Sequence, residues 1–319
     1  MKNMSVAVIG AGICGLTISA KLSAFAIDAF VIEKSKGVGG RMATRRDGDA
    51  TYDHGASFYV ESELESNIWH KRWQNLQKSK YWLSQDQMNY YVGSKGMASL
   101  AKDLAENANT IFSEKVINLD QHQNGMRVFC ESGRFFEADK VIMSCPLPQS
   151  LSILQASKVT YPETLNHISY SKALVGLIEL EEPIANLKLN FINLNSAIYT
   201  IANNQKKGIS KKIALTIVMS DRWSDEHFDL EDSKTLQLIE TELKNFLKIE
   251  VRVCKSQLKK WRYCKPNSIF KEKFVSLLGD QILMAGDAFG GGSIAGALRS
   301  ADSVIKYLSQ NFSSSKESL

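Results

Sequence analysis

The sequence predicts an α/β fold of two domains, the second inserted into the first. Near the start of the chain, a strand, a glycine-rich turn and a helix follow one another over residues 6–22. Near its end, over residues 281–298, a second apolar strand runs into another glycine-rich turn. Between them, from about 150 to 255, strands and helices alternate without glycine fingerprints. This middle segment is therefore expected to be a separate, inserted domain.

Composition limits the class of protein. A chain of 319 residues can bury about three quarters of its unfolded surface, and its net charge of +5 is mild. The lysine-rich segment 206–212 is expected to be a solvated hairpin tip, so no nucleic-acid partner is predicted. Five cysteines without a Cys-x-x-Cys pair indicate reduced thiols and a cytoplasmic location. No metal site, signal peptide or membrane span is expected.

The first glycine-rich turn has the spacing of a dinucleotide fingerprint. Gly10 permits a tight turn, Gly12 lets a pyrophosphate approach the backbone, and Gly15 lets the helix pack closely on the strand. The helix then presents unpaired N–H groups and the positive end of its dipole to phosphate. A second strand, 29–32, ends at Glu33, eighteen residues after Gly15, where a carboxylate can bind a ribose diol.

The loop after Glu33 has the chemistry of an anion cradle. The glycines of 37–40 let the backbone fold around a phosphate, and Arg41 can make a two-point contact with phosphate oxygens. Arg45 and Arg46 are expected to be exposed. The following segment, 52–59, is a short strand that ends in small residues, which suggests that a flat group passes close by.

The second glycine-rich turn decides between two dinucleotide cofactors. Asp287, after Gly286, can accept hydrogen bonds from a sugar alcohol. The helix that follows the glycines 290–292 is expected to continue to Leu308, and its start can face a developing negative charge. A ribityl-binding carboxylate in a second glycine turn has no counterpart in a simple nicotinamide site. The two turns together therefore favour FAD over NAD as the cofactor.

Other elements follow from apolar periodicity. Aromatic residues between 64 and 90 are expected to pack as apolar groups. A helix is predicted at 233–247 from apolar residues at three- and four-residue spacing. Strands are predicted at 110–112, 115–119, 127–130, 140–145, 173–180, 197–202, 213–219 and 253–261.

Five motifs spread over nearly the whole chain resemble those of the flavoproteins with two dinucleotide-binding motifs. They are Gly10 to Gly15, Gly39-Gly40-Arg41-Met42, His54-Gly55-Ala56-Ser57-Phe58, Lys260-Trp261-Arg262 and Gly286-Asp287. These proteins share their FAD fold with the amine oxidases and p-hydroxybenzoate hydroxylase, and the second and fourth motifs are most similar to the renalases.

The resemblance implies a Rossmann-type FAD-binding domain with an inserted mixed-sheet α+β substrate domain, as in p-hydroxybenzoate hydroxylase. We expect residues 1–62, 93–150 and 256–319 to form the discontinuous FAD-binding domain. Residues 63–92 and 151–255 are expected to form the substrate domain.

The resemblance also implies residue roles. Glu33 would hold the adenosine ribose, Arg41 the pyrophosphate region, and Asp287 the ribityl chain, while the Val116 backbone would meet the adenine edge. Ser57, Phe58, Ile294 and Ala295 would lie close to the isoalloxazine. The full set expected to bind FAD non-covalently is Gly10, Ala11, Gly12, Ile13, Cys14, Gly15, Glu33, Lys34, Gly40, Arg41, Ala56, Ser57, Phe58, Val116, Gly286, Asp287, Ile294 and Ala295.

The activity implied by the resemblance is an FAD-dependent oxidase. It would accept at flavin N5 a hydride from a dihydronicotinamide dinucleotide reduced at the wrong ring carbon, and reduce molecular oxygen to hydrogen peroxide. Hydride transfer needs alignment more than acid–base help, so no catalytic side chain is expected. His54, Tyr59, Trp261 and Arg262 are candidates for the substrate cavity, with a structural role as the alternative for each.

Two other functions are compatible with the same sequence. The first is a flavin amine oxidase or a related desaturase, which would need an aromatic cage for a neutral amine beside the flavin. The second is an FAD-binding regulatory protein without turnover. The oligomeric state is not readable from the sequence.

Overall fold

A computed structural model describes residues 4–64, 68–85, 88–123, 125–184, 187, 189–191 and 197–317. The chain divides into two compact units. The first unit comprises Met1–Gly40, Ala101–Ser169 and Pro266–Leu319, and the second comprises Arg41–Leu100 and Tyr170–Lys265. Strands and helices alternate in the first unit around a largely parallel sheet, and the predicted α/β fold class is confirmed.

The helices and strands are numbered in chain order. The strands are β1 Ser5–Ile9, β2 Asp28–Ile32, β3 Thr44–Asp47, β4 Ala50–Asp53, β5 Tyr59–Val60, β6 Ser79–Gln85, β7 Met88–Gly93, β8 Asn109–Ile111, β9 Val116–His122, β10 Gly125–Cys130, β11 Phe135–Ala138, β12 Lys140–Met143, β13 Tyr170–Leu180, β14 Leu189–Phe191, β15 Ile198–Asn203, β16 Ile213–Met219, β17 Val253–Pro266, β18 Val275–Leu277 and β19 Ile282–Met284. The helices are α1 Ile13–Leu22, α2 Ile68–Asn75, α3 Ala98–Ala105, α4 Leu147–Ala156, α5 Asp221–His227, α6 Asp232–Leu247, α7 Asp287–Gly290 and α8 Ser293–Glu317.

The first unit contains a sheet with the order β18-β19-β12-β1-β2-β8. From β19 to β8 the neighbouring strands are parallel, and only β18 joins antiparallel. Val6, Ala7 and Val8 of β1 are fully buried, as expected for a central strand covered on both faces. The helices α1 and α8, from opposite ends of the sequence, pack against each other. The carboxyl ends of β1, β12 and β19 thus meet at one edge of the sheet.

The second unit contains a sheet with the order β14-β15-β16-β13-β17. The helix α6, predicted at 233–247, buries Ile239 and Leu243 in the cluster that covers this sheet. Gly176 of β13 lies so close to α6 that an added Cβ would stand 2.8 Å from Ile239. Trp69, Trp73 and Tyr90 are buried, in agreement with apolar packing of the aromatic segment.

The boundaries of the two units differ from the expected domain boundaries. Residues 41–62, 93–100 and 256–265 belong to the second unit, because β17 is a strand of its sheet and because Ala50 and Tyr52 of β4 share an apolar cluster with β13. Residues 151–169 belong to the first unit, where α4 packs on β9. Among the described residues, no helix is long and apolar enough to cross a membrane.

Candidate functional site

The first glycine-rich turn connects β1 to α1. Gly10 has φ +104°, a left-handed conformation that favours glycine. A Cβ on Gly15 would stand 2.2 Å from the Gly10 carbonyl oxygen, so the helix packs on the turn only with glycine there. A Cβ on Gly12 would meet no heavy atom within 4 Å. The turn is therefore crowded on its inner side and open at Gly12.

The open side of this turn coincides with the N-terminus of α1. Gly12 is the N-cap, with an extended conformation and no side-chain cap, and the first turn of α1 contains no acidic residue. The N–H groups at this helix end can therefore serve an anionic ligand. Burial raises the pKa of the Cys14 thiol, and the Asp287 carboxylate adds to that rise. Cys14 is thus a protonated packing residue.

Glu33 lies against the same turn. It follows β2 and is buried, and its Oε2 accepts a hydrogen bond from the Ala11 N–H at 2.7 Å. Its Oε1 accepts from the N–H and the hydroxyl of Ser35, at 2.8 Å and 2.6 Å. A carboxylate offers about four acceptor positions, so Glu33 retains capacity for a further hydroxyl donor. The Glu114 N–H donates to the Glu33 carbonyl at 3.0 Å, which brings the start of β9, and Val116, beside the end of β2.

The loop after β2 folds back onto the turn. The Gly39 N–H donates to the Ala11 carbonyl at 2.8 Å, and a Cβ on Gly40 would stand 3.5 Å from the Cα of Gly12. Lys34 is exposed and donates to the Gln149 side chain at 3.3 Å. The structure therefore brings together the expected residues at 10–15, 33–34 and 39–40.

The second glycine-rich turn follows β19. Gly286 has φ +136°, and its N–H donates to the Ser300 hydroxyl at 2.9 Å. Asp287 begins α7 and is buried. Gly291, Gly292 and Ser293 then have φ values of +109°, +70° and +55°, and this left-handed run leads into α8.

The predicted helix at this turn extends further than expected. The prediction ended it at Leu308, whereas α8 runs for 25 residues, from Ser293 to Glu317. Ile294 and Ala295 are buried in its first turn. The positive end of the α8 dipole is thus directed at the space beside the second turn.

Ser144, which the sequence analysis did not single out, connects the two glycine-rich turns. It follows β12, the strand between β1 and β19, and its hydroxyl donates to the carbonyls of Ile9 and Gly10 at 2.9 Å and 3.0 Å. Its own carbonyl oxygen lies 3.7 Å from where a Cβ on Gly286 would stand. No motif identifies this serine, because its role depends on the strand order.

In the second unit, residues 54–58 are held close to the backbone of residues 41–43. The Ala56 N–H donates to the Arg41 carbonyl at 2.7 Å, and a Cβ on Gly55 would stand 1.9 Å from that carbonyl oxygen. The Ser57 hydroxyl donates to the Asp53 carbonyl at 3.2 Å, and Phe58 is half-buried. This tight apposition accounts for the small residues in the segment.

Arg41 itself makes contacts within the second unit. Its guanidinium donates to the Cys264 carbonyl at 3.2 Å and lies 5.6 Å from the centre of the Tyr170 ring. These contacts hold the guanidinium group beside β17. Its expected role at a pyrophosphate stays a prediction.

Two of the four substrate candidates contact each other. The His54 and Trp261 rings stack with centres 5.5 Å apart, and the Trp261 indole N–H donates to the His54 carbonyl at 2.7 Å. Burial, followed by the charge of Lys259, lowers the pKa of His54 to about 4. Its Nδ1 is buried without a hydrogen-bond partner among the described residues.

The other two candidates have different neighbours. The buried Tyr59 hydroxyl contacts His70 Nδ1 at 3.1 Å and donates to the Ser79 hydroxyl at 2.9 Å. The exposed Arg262 lies 5.5 Å from the centre of the Phe228 ring. Because Trp261 and Arg262 are consecutive in β17, they face opposite sides of the strand.

A buried ion pair in the second unit contradicts the expectation of a solvated tip at 206–212. The Lys207 ammonium lies 2.6 Å from Asp53 Oδ2, and both side chains are fully buried. Asp53 Oδ1 also accepts from the Met97 N–H at 2.8 Å and from the Thr44 hydroxyl. Burial lowers the pKa of Lys207, and the Asp53 charge opposes that shift. Composition alone does not show which lysine of this segment is buried, because Lys207 lies between Lys206 and Lys211 in a lysine-rich stretch.

Two family models match the chain. The model for flavin-containing amine oxidoreductases matches residues 60–304, and that for NAD(P)-binding Rossmann-like domains matches residues 8–72. The chain belongs to the flavin-containing amine oxidoreductase family. Membership implies a flavin cofactor. The open, uncapped helix end, the spare acceptor capacity of Glu33 and the buried Asp287 fit the phosphates and hydroxyls of such a cofactor.

Two solved structures of proteins named as oxidases have a similar fold. One is a candidate protoporphyrinogen oxidase from Exiguobacterium sp. 255-15, with a TM-score of 0.77 and 12% identity over 98% of this chain and 100% of that chain. Another is a triple mutant of putrescine oxidase with redesigned cofactor binding, with a TM-score of 0.74 and 13% identity over 96% of this chain and 99% of that chain. At these identities the likeness establishes the fold.

Proposed function

We propose that this amine oxidoreductase family member is a renalase-like oxidase. It takes a hydride from dihydronicotinamide dinucleotides reduced at the wrong ring carbon and passes the electrons to molecular oxygen, giving hydrogen peroxide. Non-covalently bound FAD supplies hydride acceptance at N5 and reactivity towards oxygen. The chain's own residues bind and orient the cofactor and align the substrate ring with it.

The first unit supplies the proposed contacts to the nucleotide half of FAD. The α1 N-terminus and the Gly10–Gly15 turn bind the pyrophosphate, and Glu33 accepts from the adenosine ribose. The backbone at Val116 meets the adenine edge, since β9 starts beside the end of β2. Asp287 accepts hydrogen bonds from the ribityl hydroxyls, and the α8 N-terminus favours the negative charge that accompanies reduction.

The observation that carries the choice of substrate is the charge beside Trp261. The cations Lys259 and Arg45 both influence the titration of His54, which stacks on Trp261 and is neutral at pH 7 because its pKa is about 4. A protonated amine would be repelled by these cations, whereas a dinucleotide carries phosphates that they attract. This charge distribution favours a nucleotide substrate.

Amine oxidation is the second candidate, because the family model and the fold of putrescine oxidase favour it. It would need two aromatic rings with space between them for an amine. Tyr59 and Tyr91 are stacked with centres 5.7 Å apart, and this direct contact leaves no such space. Phe58 packs edge-on against Tyr90, with centres 5.0 Å apart.

Anaerobic mixing tests the proposed function. The flavin absorbance of the purified holoenzyme is followed after addition of dihydronicotinamide isomers, a set of monoamines and diamines, or protoporphyrinogen. Rapid bleaching by one or more dihydronicotinamide isomers alone is expected, with stoichiometric peroxide when air is readmitted. Bleaching by amines alone would support the second candidate, and a flavin that no reductant bleaches would indicate a binding protein.

A further inference from the structure

The peptide that joins Gly10 to Ala11 in the first glycine-rich turn is held at both of its polar groups. Its carbonyl oxygen accepts a hydrogen bond from the Ser144 hydroxyl at 3.0 Å, and its N–H donates to Glu33 Oε2 at 2.7 Å. The C=O and N–H of a trans peptide point in opposite directions, so contacts on opposite sides oppose rotation of its plane. A side chain after β12 and a side chain after β2 therefore set the orientation of this peptide.

External contacts matter at this position because it is a glycine. Gly10 has φ +104°, and a residue without Cβ reaches left-handed and right-handed conformations at similar energies. The local chain alone thus determines the orientation of the Gly10–Ala11 peptide only weakly. Gly12, the N-cap of α1, follows directly, so rotation of the peptide would displace the open side of the turn.

The Ser144 hydroxyl occupies space that two glycines leave empty. A Cβ on Gly10 would stand 3.2 Å from its Oγ, and a Cβ on Gly15 would stand 2.5 Å from it. The hydroxyl also lies 2.9 Å from the Ile9 carbonyl oxygen, which accepts from the Ser144 N–H at 3.0 Å. Glycine at positions 10 and 15 therefore makes room for a buried hydroxyl that donates to the backbone of the turn.

Glu33, on the other side of the peptide, is held by the loop that follows β2. Its Oε1 accepts from the N–H and the hydroxyl of Ser35 at 2.8 Å and 2.6 Å, while Oε2 accepts from Ala11. The Ala11 carbonyl in turn accepts from the Gly39 N–H at 2.8 Å. Both peptides that lead into Gly12 are thus hydrogen-bonded to protein groups outside the turn.

We infer that Ser144 is a positioning residue for FAD, which holds the first glycine-rich turn in the orientation that accepts the pyrophosphate. This inference rests on the part of the proposed function that assigns FAD to this turn, and it does not depend on the substrate. A turn that is ordered before binding reduces the entropy lost on association. Without the hydroxyl, only a fraction of the molecules have the binding orientation, and the apparent affinity falls by that fraction.

The rates of FAD binding to the full-length apoprotein distinguish positioning from direct contact. They are measured by stopped-flow fluorescence. In Ser144→Ala the association rate constant should fall about tenfold and the Kd should rise about tenfold, while the dissociation rate constant stays within about twofold of the wild-type value. Dissociation is unchanged because bound FAD itself holds the turn. Loss of a hydroxyl that contacts FAD directly would instead accelerate dissociation.

Ser150→Ala is the matched control. Ser150 is buried on α4, and its hydroxyl donates to the Cys145 carbonyl at 3.3 Å. The variant therefore loses the same group from a buried serine of the same segment, and its association rate constant should equal that of the wild type even if its thermal midpoint falls. Equal slowing in both variants, or slower association in neither, would overturn the inference. Faster dissociation of Ser144→Ala with unchanged association would also overturn it.

Hydrogen exchange tests the same orientation without relying on the stability of a variant. In the wild-type apoprotein the Ala11 N–H should exchange about a hundredfold more slowly than in an unfolded chain, because Glu33 accepts its hydrogen bond. This protection should fall in Ser144→Ala and persist in Ser150→Ala. Exchange of the wild-type Ala11 N–H at the unfolded rate would overturn the inference, since the turn would then be disordered before FAD binds.

The outcomes separate this inference from the proposed function. If no dihydronicotinamide bleaches the flavin but FAD associates slowly with Ser144→Ala, the proposed oxidase activity fails and the positioning role stands. If dihydronicotinamides are oxidised and Ser144→Ala binds FAD at the wild-type rate, the activity stands and the positioning role fails. The two results are independent, because association of FAD with the apoprotein requires no substrate.

Discussion

Asp53 and Lys207 illustrate how a single buried charge depends on its partner. The two residues are 154 positions apart in the sequence, and their side chains pair at 2.6 Å without exposure to water. A charge left alone in such a place has lost its hydration without compensation. Lys207→Met should therefore lower the free energy of unfolding by about 3–5 kcal/mol, as measured by urea denaturation.

Two comparisons make this prediction specific to the buried pair. In Asp53→Asn/Lys207→Met, Oδ1 can still accept from the Met97 N–H and no charge is left unpaired, so the double variant should recover about 1 kcal/mol or more. Lys211 lies in the same segment as Lys207 but is exposed and pairs with Asp49. Lys211→Met should therefore change the free energy of unfolding by about 0.5 kcal/mol or less. A double variant less stable than Lys207→Met would contradict the ion-pair explanation.

His54 should impose a pH dependence on stability. Its pKa falls from 6.5 in the unfolded chain to about 4 in the folded protein, chiefly because of burial. Between these two values the unfolded chain binds more protons, so stability is fully present above pH 6.5 and is lost as the pH falls towards 4. Lowering the pH from 7 to 5 should cost about 2 kcal/mol through this residue.

The contribution of His54 can be isolated by comparison with His54→Gln. The free energy of unfolding of wild type and variant is measured from pH 4 to pH 8. The difference between the two should fall by about 2 kcal/mol when the pH is lowered from 7 to 5. A difference that does not vary with pH would mean that the histidine is solvated when folded.

At the scale of one element, two glycines between β1 and α1 have different roles: Gly15 allows close packing, and Gly12 leaves space for a ligand. A Cβ on Gly15 would stand 2.2 Å from a backbone oxygen, whereas a Cβ on Gly12 would meet nothing within 4 Å. Gly15→Ala should therefore destabilise the protein by several kcal/mol, about 2–4, and reduce FAD content. Gly12→Ala should leave thermal stability of the apoprotein near wild type while raising the Kd for FAD, since its methyl group would occupy the space open to phosphate.

The measurements for this pair are thermal unfolding of the apoproteins and titration with FAD. Wild-type FAD affinity in Gly12→Ala would show that the cofactor does not approach this face of the turn.

The elements that sequence predicts well are those whose cause is local. The strand, glycine turn and helix at 5–22, the acidic residue after β2 and the helix α6 all follow from spacing over a few residues, and the structure has them where they were predicted. Ser144, by contrast, bridges the two glycine-rich turns only because β12 lies between β1 and β19. Strand order is a long-range property, so short-range spacing does not reveal this contact.

The inserted unit was harder to delimit for the same reason. β17 was predicted to be a strand, yet its place beside β13 depends on packing that joins residues on both sides of α6. Likewise, the ion pair between Asp47 and Lys255 joins β3 to β17, which belong to different sheets and are distant in the sequence. The exposure of Arg45 was predicted correctly, whereas the partner of Asp47 was not predicted.

At the scale of the whole molecule, the cofactor should connect segments from both ends of the chain. The Gly10–Gly15 turn, Glu33 and Asp287 all belong to the first unit, although more than 250 residues separate the turns. A ligand that binds only the folded protein stabilises it by about 2.7 kcal/mol at a hundredfold excess over Kd. FAD at that concentration should therefore raise the thermal midpoint of the apoprotein by roughly 5–10 °C.

Asp287→Asn tests whether the carboxylate of Asp287 contributes to this stabilisation by FAD. The substitution preserves the size of the side chain and removes its charge at the proposed ribityl position, so the FAD-induced rise in thermal midpoint should shrink while the apoprotein midpoint stays near the wild-type value. Asp229→Asn, at an exposed position of the second unit, should retain the full rise. An undiminished rise in Asp287→Asn would remove the ribityl assignment without affecting family membership, because the shift reports cofactor binding and requires no substrate.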